Sequence, residues 1–134
     1  MTTRRLLLSL ALASLVAAPF AGAVRAAPPQ AAPWDRAAYD AALAAGRPML
    51  VEITADWCPT CRKQKVVFAD LLQQPQYADL LFLSVDFDTQ KDVVQSLGAQ
   101  KQATLIVYSG GKETGRTVGT AKAKKIQALL DTAY

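Results

Sequence analysis

Cys58 and Cys61, separated by Pro59 and Thr60, stand where one kind of sequence gives way to another. Before them, Met49 to Thr54 (MLVEIT) is a short apolar run with β-branched residues, and its length and flanks predict a buried strand. After them, Pro59 to Gln73 reads as a helix, with Cys61, Phe68 and Leu72 close to one face. A strand that runs into a helix returns through a crossover, so the next strand, Leu80 to Phe87 (LLFLSVDF), pairs with it in parallel.

The flanking segments extend this alternation. Trp34 to Arg47 is alanine-rich, with Asp35 as candidate N-cap, a stripe of Ala38, Tyr39, Ala42, Leu43 and Ala45, and a stop at Gly46 and Pro48. Asp88 or Thr89 is positioned to cap a helix through Val93, Val94 and Leu97, which Gly98 ends. Thr104 to Tyr108 (TLIVY) is a third strand, Ser109-Gly110-Gly111-Lys112 a hairpin turn, and Thr114 to Val118 the returning strand. Gly119 bends the chain, and Thr120 is the expected cap of a last helix through Ile126, Leu129 and Leu130. The order α-β-α-β-α-β-β-α defines an α/β chain with a mixed central sheet of four to five strands and helices on both faces.

At 134 residues the chain has room for one compact domain, and it shows no internal repeat. It has no His, which excludes Ser-His and Cys-His nucleophile pairs, His-ligated metals and c-type haem attachment. Two Cys are too few for a disulfide scaffold or a four-thiolate zinc site. The formal charge of +4 comes from 15 basic and 11 acidic side chains, but Arg4, Arg5 and Arg25 lie in the first 26 residues, which hold no acid. The remainder is close to neutral, so nothing in the charge argues for a nucleic-acid partner.

Residues 1–26 read as a secretory signal peptide. Arg4 and Arg5 form a positive start, Leu6 to Ala18 an apolar run, and Ala21-Gly22-Ala23 a small-residue cleavage pattern, with Val24-Arg25-Ala26 as a second. An uncleaved anchor is the alternative, since Leu6 to Val24 just reaches a bilayer's thickness, although Pro19 and Gly22 oppose it. Arg4-Arg5 also fits a twin-arginine signal as well as an ordinary export signal. Either route ends outside the cytoplasm, in a bacterial periplasm. Residues 27–33 (APPQAAP) form a Pro/Ala spacer, expected to be extended and mobile, and the domain occupies residues 34–134.

Two thiols two residues apart at a helix start are arranged to exchange electrons. Pro59 suits the first helical position because it lacks an N–H that would be orphaned there. Cys58 then lies beside free backbone N–H groups and the positive end of the helix dipole, both of which favour the thiolate. Cys61, one turn inward, is placed to close a bridge to Cys58. As a permanent staple such a bridge closes almost no loop and adds little stability. As half of a metal site it lacks further ligands.

Ala55-Asp56-Trp57-Cys58-Pro59-Thr60-Cys61 resembles the active-site segment of the thioredoxin family, A-x-W-C-x-x-C after a central strand. The resemblance runs from about Trp34 to Tyr134 and includes Thr104 to Tyr108, Gly111 and Val118-Gly119. It implies a thioredoxin-like fold and a thiol–disulfide oxidoreductase. It also implies that Glu52, six residues before Cys58, is the buried acid that takes the proton of the inner thiol through water. A carboxylate between Val51 and Ile53 is desolvated, which raises its pKa toward neutrality; the other possibility is a strand-edge Glu that reaches solvent. The family's usual lysine on the neighbouring strand is replaced, by count, by Ser84, so less charge compensation is expected. Trp57 is expected to cover the thiols and to share in client docking with Pro59, Thr60, Gln102 and Ala103. Arg62, Lys63 and Lys65 read as a solvated helix face.

Ala103 departs from the family pattern, because relatives carry a cis-proline there, opposite the cysteines. A cis bond before Ala costs about 2.5–4 kcal/mol, against about 0.5–1 before Pro, which leaves a trans loop or a strained cis bond as the alternatives. The missing proline also raises a competing function, a soft-metal module that holds Cu(I) on Cys58 and Cys61 across the opening at Ala103. With only Met1 and Met49 to help, the oxidoreductase is the stronger expectation. That reading carries no cofactor and no metal, disulfide- or thiol-bearing client proteins, a membrane thiol donor of electrons and a monomeric state. Trp57 before Cys58 and the buried acid favour a reductase over an oxidant.

Overall fold

The computed structural model describes residues 26–134, so the leader expected over residues 1–26 lies, except for Ala26, outside the described residues. The elements run β1 (Ala32–Pro33), α1 (Arg36–Ala45), β2 (Met49–Thr54), α2 (Pro59–Leu71), β3 (Leu81–Asp86), α3 (Lys91–Ser96), β4 (Thr104–Ser109), β5 (Lys112–Val118) and α4 (Ala123–Leu130). Short 3₁₀ turns lie at Pro75–Tyr77 and Asp131–Ala133. The sheet has five strands in the order β1-β3-β2-β4-β5. β1 and β2 pair with β3 in parallel, whereas β4 pairs antiparallel with both β2 and β5. The α/β class and mixed sheet expected from the sequence are therefore present.

Strand alternation divides the core into two. Leu50, Leu105 and Val107 face α2 and α4, where they pack with Phe68, Leu71, Ile126 and Leu130. Met49, Val51, Ile53, Ile106 and Tyr108 face the other way, toward Ala42, Val94 and Leu97 of α1 and the α3 region. Glu52 shares the parity of Leu50, so the pleat sends it to the α2 side. That one consequence of period-two geometry positions the acid under the helix that carries the cysteines.

Local chemistry explains most of the helix boundaries. The Asp35 carboxylate accepts the Ala38 N–H at 3.0 Å, and Gly46 closes α1 with φ 65° and its N–H on Ala42 and Leu43 carbonyls. Gly110 and Gly111, with φ 60° and 79°, make the hairpin turn that both residues' freedom permits.

Three expectations change. Asp88 and Thr89 do not cap α3, whose N-cap is Gln90 without a side-chain bond. Their backbone N–H groups bind the Asp86 carboxylate instead, at 2.9 and 2.8 Å, and form a turn before the helix. Thr120 is likewise not the cap of α4. Lys122 is, and the Thr120 hydroxyl accepts its N–H at 3.3 Å from two residues upstream. The end of the supposed spacer is part of the sheet, because Ala32 and Pro33 pair with Leu83 and Ser84. A two-residue strand has no periodicity to read, and its pairing comes from the exposed edge of β3. Among the described residues no helix is long and apolar enough to cross a membrane.

Candidate active site

β2 ends at Thr54, and the next four residues carry the chain to Cys58, the N-cap of α2 with extended backbone (φ −81°, ψ 111°). Pro59 occupies the first helical position as expected. Cys58 and Cys61 form a disulfide with Cα atoms 5.3 Å apart. The Cys58 Sγ also accepts the Cys61 backbone N–H at 3.1 Å. The helix start thus sets both a donor and a dipole beside the Cys58 sulfur, the two features that favour a thiolate. Both cysteines are buried, at 2% and 1% exposure, in a small cluster with Ala55, Ala103 and Phe87.

Trp57 stands beside them 55% exposed, and its Nε1–H donates to Asp88 Oδ2 at 2.7 Å. The ring is thus held at the surface by its polar edge rather than packed inside. Pro59 is exposed, while Thr60 and Gln102 are half-buried. Arg62 donates to the Asp56 carbonyl at 3.2 Å and, like Lys63, lies on an exposed face of α2.

Glu52 is buried, which settles its exposure against the strand-edge alternative. Ser84 is its register partner on β3, the position reached by counting. Burial pushes the Glu52 carboxyl above its ordinary range; the Ser84 hydroxyl and the charge of Lys65 pull it partly back. Its Oε2 is buried without a hydrogen-bond partner among the described residues. A group in that condition is stabilised by holding a proton. Lys65 was expected to be a solvated side chain only. It is exposed, yet it lies on the α2 face above β2 and lines with Glu52 an open cleft of about 430 Å³, together with Ser84 and Asp86. The positive partner that β3 lacks comes from the helix.

Ala103 resolves the alternatives at the loop before β4. No described peptide bond is cis, and Ala103 adopts φ 58°, the only non-glycine among the described residues in the left-handed region. That conformation costs an L-residue about 1–2 kcal/mol. The Ala103 carbonyl accepts Gly119 N–H at 2.9 Å and Gln64 Nε2–H at 3.3 Å, bonds that offset the cost. Ala103 is buried, at 3% exposure, in the same small cluster as both cysteines. No group of three or more His, Cys, Asp or Glu is gathered among the described residues, so Cys58 and Cys61 have no further ligand assembled beside them.

Gln64 was not anticipated. It is 1% exposed, and its amide also donates to the Thr120 carbonyl at 2.8 Å. A signal was available: Gln64 falls on the buried stripe Cys61, Phe68 and Leu71, where an apolar residue is the ordinary choice.

The sequence model of the family described as thioredoxin matches residues 30–132. The chain belongs to the thioredoxin family. Thioredoxin-2 of Saccharomyces cerevisiae is 37% identical over 94 residues, covering 68% of this chain and 86% of its own. An H-type thioredoxin of Chlamydomonas reinhardtii is 33% identical over 100 residues, covering 72% and 87%. Among solved structures, Trxlp from Edwardsiella tarda superposes with a TM-score of 0.70 at 39% identity, covering 73% of this chain and 95% of that one. Membership in this family and the paired cysteines make the protein a thiol–disulfide oxidoreductase of the thioredoxin type.

Proposed function

We propose that the protein is an exported, periplasmic thioredoxin-family reductase that draws electrons from a membrane thiol donor and passes them to client disulfides. The observation that carries the proposal is the Cys58 sulfur at the start of α2, within reach of the Cys61 N–H and next in sequence to the exposed Trp57. The Cys58 thiolate attacks one sulfur of a client disulfide, forming a mixed disulfide and expelling the other client sulfur as thiolate. Glu52 accepts the Cys61 proton through water in the cleft it lines, and the Cys61 thiolate attacks Cys58 Sγ. The second client thiolate leaves, both client sulfurs take up protons, and two electrons have passed from the dithiol to the client. The donor reverses the change at Cys58–Cys61. Export is supported by the pattern of residues 1–26. The protein works as a monomer in this reading.

The test is the reduction potential of the Cys58–Cys61 pair, measured by equilibration in glutathione or dithiothreitol buffers. A value near about −270 mV or lower supports a reductase, and one near about −120 mV makes the protein an oxidant and overturns the direction. Mass measurement of the protein recovered from the periplasm, beginning at Val24 or Ala27, tests export.

A further inference from the structure

Gln64 is one of the few polar side chains buried in the described core, and the thiol chemistry makes no use of it. A primary amide taken out of water needs both N–H groups paired. Here one nitrogen spans two carbonyls far apart in sequence, Ala103 and Thr120. Bridging two acceptors takes at least two N–H groups on one side chain, and Lys or Arg would bring a charge into a site that is 1% exposed. The location selects an amide.

The two carbonyls belong to two loops that are also joined to each other. Ala103 shares a buried cluster with Cys58 and Cys61, and Thr120 follows Gly119, whose N–H also donates to the Ala103 carbonyl. Gln64 itself stands one turn beyond Cys61 on α2. A single side chain therefore ties the helix that carries the thiols to the left-handed turn at Ala103 and to the approach to α4. Both cysteines are nearly buried and share their cluster with Ala103, so a client disulfide that reaches Cys58 meets loop 101–103. The place of that loop decides which clients fit.

We infer that Gln64 is a positioning residue for client docking. Through its bridge to Ala103 and Thr120 it holds loop 101–103 at the separation from Cys58 that admits a protein disulfide. The inference rests on the oxidoreductase reading above and concerns clients rather than the reactivity of the sulfur.

The experiment compares wild type with Gln64→Met, which keeps the volume and removes both donors, with dithiothreitol as reductant. Two oxidants are used, insulin and the small hydroxyethyl disulfide. The expected result is a KM for insulin raised about tenfold with kcat within about twofold, and an unchanged rate with hydroxyethyl disulfide. An unchanged insulin KM overturns the inference, as do equal losses on both oxidants, which would place the effect on the thiol or the fold. Wild type that reduces neither oxidant overturns the oxidoreductase reading and the inference with it. If Gln64→Met does not fold, NMR of the Gln64 side-chain amide in a Cys61→Ser protein decides the matter. A client peptide trapped on Cys58 should shift both amide protons relative to a mercaptoethanol adduct, and coincident spectra overturn the inference.

Discussion

The two ends of the sheet handle the same backbone problem differently. At the end away from the dithiol, the chain turns through Gly46, Gly110 and Gly111, all with positive φ. Gly110 N–H is bound to the Gly46 carbonyl, and Ser109, Tyr134 and Arg47 each hold a hydrogen-bond partner there. Nearby, Tyr77 is bonded to Asp131, and burial with that contact pushes its phenol up to about 12. At the dithiol end, a left-handed turn falls on an alanine, and Glu52 Oε2 and Thr54 Oγ1 are buried without hydrogen-bond partners among the described residues. One end minimises strain and unpaired groups. The other retains both beside its reactive sulfurs, where strained backbone and unpaired polar atoms tend to cluster when they serve chemistry.

That contrast can be broken from either side. The largest effect is expected for Cys58→Ser: insulin reduction by dithiothreitol falls to background. Ser is a good N-cap, so urea unfolding is expected within about 1 kcal/mol of the reduced wild type. A large loss of stability would erase the distinction between the two ends. Glu52→Gln comes next, with turnover reduced about a hundredfold at pH 8, the low end of a general base's contribution. Its stability should move the opposite way. A carboxyl whose folded pKa is raised binds more protons folded than unfolded, so wild-type stability declines as pH climbs from the ordinary value through the raised one. Gln removes that decline, so the variant is the more stable at pH 8, and the gap closes toward pH 4. Parallel pH curves would show that Glu52 is not held in its raised state.

At the far end the balance inverts. Gly111→Ala places a Cβ 3.0 Å from the Leu43 carbonyl at φ 79°, a loss of about 1–2 kcal/mol or somewhat more in urea melts with insulin turnover unchanged. Reduced turnover in a folded protein would mean that the far end reaches the site. The smallest shift is expected for Ala103→Gly. Relief of the left-handed turn is opposed by about 0.4–1 kcal/mol of added unfolded-state freedom, so the midpoint barely moves. A large stabilisation would show that the strain at Ala103 far exceeds the entropic cost of a glycine there.

What was legible in the sequence follows from how far each cause lies along the chain. β2, the Asp35 cap, the Gly46 stop and the Gly110-Gly111 turn depend on neighbours within a few residues, and all stand where the pattern put them. The cysteine pair at the head of α2 was equally local. The conformation of Ala103 was not, because it depends on donors at Gly119 and Gln64. The role of Lys65 toward Glu52 needed both the helix face and the strand parity to be known together. Asp88 and Thr89 misled because each is a sound cap, yet the Asp88 carboxylate accepts the Trp57 Nε1–H and the Thr89 hydroxyl donates to Asp86.

The strand at Ala32–Pro33 has a consequence of another kind. It shields one border of the sheet with only two residues, and the second of them has no N–H to offer a newcomer. The opposite border, β5, bears Lys112, Glu113 and Arg116. Short or proline-bearing margins and charged ones discourage strand-by-strand growth into fibres. The domain is thereby guarded along both margins against adding a strand from another chain while it handles disulfides.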